Sequence, residues 1–195
     1  VFLMIVPVSV GLAITAPLLV PVLLGDKWIP MISLWQIFSL YGLTRPISTN
    51  SAPVFLATGQ PRRNLTASLV LMGTLIPLLI LLIGPYGAEG AAVAVSLSSI
   101  IGMLFNVIQV NQILPGTAVK TFTQGLPFFV AGGMMALAVA LTQKPIIHLS
   151  GGENLVSLLL IVLVGALVYI AAILILQRPL VMELYELLIK ALGFD

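Results

Sequence analysis

Cysteine is missing altogether and charge nearly so: the 195 residues carry eight Lys or Arg, six Asp or Glu and one His. Charged side chains are 7% of the chain, against roughly 25% in soluble domains. Without Cys there is no disulfide, thiolate metal site or thiol nucleophile to argue from. The lone His148 cannot build a metal site by itself, and its neighbours Lys144, Gly151, Gly152 and Glu153 read as a loop, so neither a metal nor another cofactor is expected. Also missing are a phosphate loop of the GxxxxGK type, HExxH, GxSxG and a pair of carboxylates placed for acid and base roles. With no visible catalytic machinery, the chain is not expected to be an enzyme. The net charge of +2 is dispersed, with no basic run longer than Arg62-Arg63, which argues against a nucleic acid partner.

What is abundant is hydrocarbon. Hydrophobic residues are 60% of the sequence and the mean hydropathy is +1.21, leaving too few polar side chains to coat a soluble globule. A bilayer core takes about 20 helical residues to cross, and six apolar runs of that order stand between charged or Gly/Pro-rich breaks: 1–24, 29–58, 65–83, 88–114, 125–143 and 155–177. They are apolar on every face and about twice as long as the strands of a membrane barrel. The expected fold class is therefore all-α, an integral membrane helical bundle of six transmembrane helices in three antiparallel hairpins. Beyond Pro179, Leu180, Leu184, Leu187, Leu188 and Ala191 recur at three-and-four spacing, with Glu183, Glu186 and Lys190 on another face. That pattern predicts a C-terminal amphipathic helix lying on the membrane surface over 178–195.

Lys and Arg set the orientation. Lys27 and Lys144 follow the odd-numbered spans; Arg62, Arg63, Lys120, Arg178 and Lys190 follow the even-numbered spans or lie in the tail. The tail and the Arg62-Arg63 loop are thus expected in the cytoplasm, with Trp28 as an interfacial anchor on the opposite side. The chain opens at Val1 inside an apolar run, with no basic segment or cleavage site of a signal peptide, and is expected to be a piece of a longer protein.

Thirteen of the charged residues fall in loops, at span ends or in the tail, and Arg45 does not. It lies sixteen residues from one end of the second run and thirteen from the other, near the bilayer midplane, where a guanidinium costs about 2.5–3.5 kcal/mol. At 100° per residue, Tyr41, Arg45, Ser48 and Thr49 share one helical face with Gly42 and Ala52. Pro46 and Pro53 remove the hydrogen bonds to the carbonyls of Gly42 and Thr49, so the second helix is expected to kink or break there. No span offers an Asp or Glu at that depth. Two uses of Arg45 are open: a structural bond to a carbonyl, or a site for an anion, to which five donors in a planar fork are suited. In the fourth span Ser99, Gly102 and Asn106 form a second polar stripe, and Ala94, Ser98 and Gly102 give small-xxx-small spacing. Packing is the first reading of these, with Ser99 and Asn106 kept as candidate substrate contacts. Gly132-Gly133 in the fifth span also reads as close helix packing, and the sixth span is expected to be peripheral.

The order Gly25-Asp26-Lys27-Trp28, then Leu40-Tyr41-Gly42-Leu43-Thr44-Arg45-Pro46, then Ala57-Thr58-Gly59-Gln60-Pro61, then Pro85-Tyr86-Gly87-Ala88-Glu89-Gly90-Ala91-Ala92 resembles the C-terminal half of polysaccharide exporters. These are lipid-linked oligosaccharide (O-antigen type) flippases of the multidrug/oligosaccharidyl-lipid/polysaccharide export superfamily. The resemblance implies that 1–114 hold four helices of the C-terminal transporter lobe, that 115–177 hold two more peripheral ones, and that the N-terminal lobe is missing. It further implies movement of an undecaprenyl-pyrophosphate-linked sugar across the bacterial inner membrane, with a cytoplasmic C-terminus. Arg45 would then meet pyrophosphate or acidic sugar, while Tyr41, Ser48 and Thr49 offer hydroxyls to the glycan. A multidrug-type antiporter of the same superfamily and an integral membrane glycan polymerase or glycosyltransferase are the alternatives.

Overall fold

The computed structural model describes residues 2–177; the amphipathic helix expected over 178–195 lies outside them. Six α-helices follow one another: α1 (Phe2–Leu24), α2 (Ile32–Thr49), α3 (Ser51–Ala57), α4 (Pro61–Ile113), α5 (Thr117–Leu149) and α6 (Leu155–Leu176), with a 3-10 turn, Asp26–Met31, between α1 and α2. No strand occurs among the described residues. Four of these helices, α1, α4, α5 and α6, are long and apolar enough to cross a membrane.

Straight, the 53 residues of α4 would reach about 80 Å, more than twice a hydrocarbon core. They are not straight. Gly87 takes φ 56° and ψ −130°, and beyond it the chain runs back along itself. Gly90 lies against the Leu82 carbonyl and Gly102 against Leu71. The Arg63 guanidinium donates to the Gln109 carbonyl at 3.3 Å and to Gln112 Oε1 at 2.8 Å, and Gln109 Nε2 donates back to the Arg63 carbonyl at 3.3 Å. Each pair is centred between residues 86 and 88, so α4 is an antiparallel hairpin of two arms, 61–86 and 88–113. The third and fourth apolar runs are these arms, joined with almost no loop.

The other helices fall into register around it. Gln36 reaches Ala13 and Gly42 abuts Ser9, which makes α1 and α2 antiparallel. Ser33 donates to Glu89 Oε1 at 2.5 Å and Ser96 to the Ile37 carbonyl at 3.0 Å, so α2 runs parallel to the second arm of α4. Phe2 stacks near Phe128, and Val6 meets Gly132, making α1 and α5 parallel; Gly165 of α6 sits against Val139 of α5. Gly132 thus forms the close contact expected of it, whereas Gly133 faces open space.

Proline within α1 illustrates how backbone is satisfied at membrane depth. Pro17 has no N–H for the Ala13 carbonyl, and Gln36 Nε2 of α2 donates to that oxygen at 3.2 Å. The neighbouring helix supplies what the proline removed. In the second apolar run, by contrast, the expected single span is divided: residues to Met31 are a 3-10 turn, α2 passes through Pro46, and the interruption falls at Asn50. The missing Pro53 N–H leaves the Thr49 carbonyl without its helical donor, which places the break after Thr49 rather than at Pro46. α5 exceeds the expected 125–143 at both ends because helix length is set by hydrogen bonding, not hydropathy: Thr121 and Thr123 bond back to the carbonyls of Thr117 and Val119.

The apolar core lies between α1, α5 and α6, where Val6, Leu18, Phe128, Ala131, Met135, Leu158, Ile161 and Tyr169 are buried. Their opposite faces expose Leu137, Leu141, Leu159, Leu163 and Leu167, as lipid-facing surfaces do. Inside this core the Tyr169 hydroxyl is buried without a hydrogen-bond partner among the described residues. An unsatisfied buried hydroxyl costs about 1–3 kcal/mol. Tyr169→Phe is expected to raise thermal stability in detergent by roughly 1 kcal/mol; a clear loss would show that the hydroxyl has a partner.

Candidate functional site

Polar side chains gather where α2 meets the α4 hairpin. Thr44 is buried and its hydroxyl bonds to that of Ser99 on the second arm. Ser99 donates in turn to the Ser96 carbonyl at 3.1 Å, and Ser96 Oγ to that of Ile37 at 3.0 Å. These hydroxyls bolt α2 to the hairpin one residue before Arg45. Small residues allow the approach: Ala94, Ser96 and Ser98 are buried, and a Cβ on Gly102 would stand 3.1 Å from Leu71 Cδ1. The packing expected of the second-arm stripe is therefore present.

Beyond the bolt the helices part around an open-sided cavity of about 210 Å³. Arg45, Ser48 and Thr49 line it from α2, Asn64 and Ser68 from the first arm of α4, and Ser99 and Asn106 from the second. Apolar lining comes from Ala52, Ala67 and Leu71. Ser99 and Asn106 are buried, Ser48 is half-buried, and Arg45 and Thr49 are exposed. Much of this polar set is already engaged with backbone: Thr49 Oγ1 donates to the Arg45 carbonyl at 2.9 Å, Ser68 Oγ to Asn64 at 3.0 Å, and Asn106 Nδ2 to Gly102 at 2.8 Å. With those donors used, the same groups keep acceptor capacity on their oxygens.

Arg45 differs from all of these. Its guanidinium donates no hydrogen bond and makes no ion pair with any described residue; its one marked contact is the Tyr41 ring, 5.9 Å from centroid to Cζ. Ser99, at the same level, is twelve residues from Gly87 and fourteen from Ile113, about 18 and 21 Å along the arm. The charge therefore sits about halfway along a hairpin of bilayer height. Arg63, in contrast, is held at the hairpin mouth by Gln60 Oε1 at 2.6 Å and by Gln112.

Of the six candidate residues, Arg45, Ser48, Thr49, Ser99 and Asn106 converge on one cavity. Tyr41 does not line it and lies beside Arg45, one turn back on α2. Asn64 and Ser68 escaped the sequence reading, although their i, i+4 spacing on the face of Ala67 and Leu71 was available; Asn64 fell in a loop and Ser68 at a span end. Comparison with protein-family models, curated proteins and solved structures finds no match. Among the described residues the lining of the cavity has one cation, no carboxylate and several hydroxyl and amide groups, a composition chemically suited to an anionic group with hydroxyls beside it.

Proposed function

We propose that the chain is the C-terminal part of a transporter that flips a polyprenyl-pyrophosphate-linked oligosaccharide across the bacterial inner membrane during polysaccharide synthesis. On this reading α1, α2 with α3, the two arms of α4, α5 and α6 make six crossings, the C-terminus is cytoplasmic, and a missing N-terminal lobe of the same polypeptide closes the open side of the cavity. The single observation that carries it is Arg45: a guanidinium at mid-hairpin depth, in a cavity, with no acceptor among the described residues. An unpaired charge at that depth marks a ligand pathway in membrane proteins. Pyrophosphate takes the guanidinium fork, and Ser48, Thr49, Asn64 and Asn106 take sugar hydroxyls. A cationic drug would be repelled at low dielectric, which disfavours the multidrug antiporter. Rocking of two lobes would expose the site to each leaflet in turn. In the full-length protein, Arg45→Ala is expected to abolish export of the lipid-linked glycan; undiminished export overturns the proposal.

A further inference from the structure

We infer that Tyr41 is a positioning residue that holds the Arg45 guanidinium toward the cavity through its ring face and not through its hydroxyl. The inference rests on the anion-site reading of Arg45. One helical turn separates the two side chains on α2, and the guanidinium carbon lies 5.9 Å from the ring centroid, inside the range of cation–π attraction. Among the described residues nothing else restrains it: Arg45, exposed on the cavity wall, has no hydrogen bond or ion pair there, while the half-buried Arg63 is tied by three acceptors. Among the described residues the Tyr41 hydroxyl makes no hydrogen bond either, and Tyr41 contributes no lining to the cavity. The contact that remains is ring to cation. A ring engages a guanidinium through its face and leaves the edge N–H groups free, so the same Arg can stay on Tyr41 and present its donor edge to an anion. Without the ring a long side chain samples several rotamers and must be ordered at binding.

The test is binding of farnesyl pyrophosphate to the full-length protein in lipid nanodiscs. Tyr41→Phe and Tyr41→Trp are expected to bind as the wild type does. Tyr41→Leu and Tyr41→Met, which keep apolar bulk and lose the ring, are expected to weaken binding about three- to tenfold. In an Arg45→Ala background Tyr41→Leu should have no additional effect, as for two residues acting through one contact. If Arg45→Ala alone leaves binding intact, the anion site fails and the Tyr41 inference with it. If Arg45→Ala abolishes binding while Tyr41→Leu and Tyr41→Met bind normally, or Tyr41→Phe falls as far as they do, only the positioning role is overturned. An equal loss from Tyr41→Leu with and without Arg45 would mark Tyr41 as general packing and also overturn it.

Discussion

Gly90→Ala is expected to prevent the α4 hairpin from closing. A Cβ at residue 90 would lie 2.0 Å from the Leu82 carbonyl oxygen and 2.6 Å from its carbon, and a backbone carbonyl cannot rotate aside as a side chain can. Overpacking a tight site costs about 1–3 kcal/mol when side chains yield; here backbone must move, so a loss of roughly 3 kcal/mol or more is expected. Gly87→Ala should cost about 1–3 kcal/mol for a different reason, since φ 56° with ψ −130° is open to glycine and strained for any L side chain. Gly73 and Gly84 supply the control, because a Cβ there meets nothing within 4 Å. Alanine at either should be neutral or stabilise by up to about 1 kcal/mol. Thermal unfolding of the detergent-solubilised variants checks the series, and a Gly90→Ala protein as stable as the wild type would remove the hairpin closure from the account. The consequence reaches the cavity, since Gly102 against Leu71 and Arg63 against Gln109 are what bring Asn64 and Asn106 to the same space.

That same hairpin shows where a sequence stops being informative. Hydropathy measures how much hydrocarbon a segment can span, so α1 ends at Leu24 and α6 begins at Leu155 as expected. It is blind to helix that continues outside the hydrocarbon, hence the longer α5, and to how a break is made. Gly84-Pro85-Tyr86-Gly87 reads as a loop, yet the chain stays helical to either side and reverses at one residue. The polar stripes were legible because a helix has a fixed period. Their meeting was not, because it depends on the register between helices, set here by Thr44 on Ser99, Ser33 on Glu89 and the absent Cβ atoms at Gly90 and Gly102. Asn64 and Ser68 became part of the site only through that register. Tyr41 shared a predicted face with Arg45 correctly, but an angular position on one helix does not separate a cavity wall from a neighbour of the cation.

Arg45→Leu distinguishes a structural arginine from a functional one, because the two roles predict opposite signs. A buried cation that held helices together would leave its partner unpaired when removed, at a cost of about 3–5 kcal/mol. Arg45 has no such partner among the described residues, and its side chain lies on the wall of an open cavity. What its removal eliminates is the cost of keeping a guanidinium at that depth, about 2.5–3.5 kcal/mol on the lenient insertion scale, less whatever water in the cavity already offsets. The variant is therefore expected to insert and unfold no worse than the wild type, with stability equal or raised by as much as about 2 kcal/mol, while, on the proposed function, binding of isoprenyl pyrophosphate falls about 100-fold through loss of the charge-assisted fork. Lysine should fall between, keeping the charge without the bidentate geometry. Unfolding midpoints and pyrophosphate titrations on the same preparations decide the matter. A destabilised Arg45→Leu with unchanged binding would make the residue a brace between helices, and residual binding that is insensitive to salt would show that attraction to a fixed cation is not what the cavity provides.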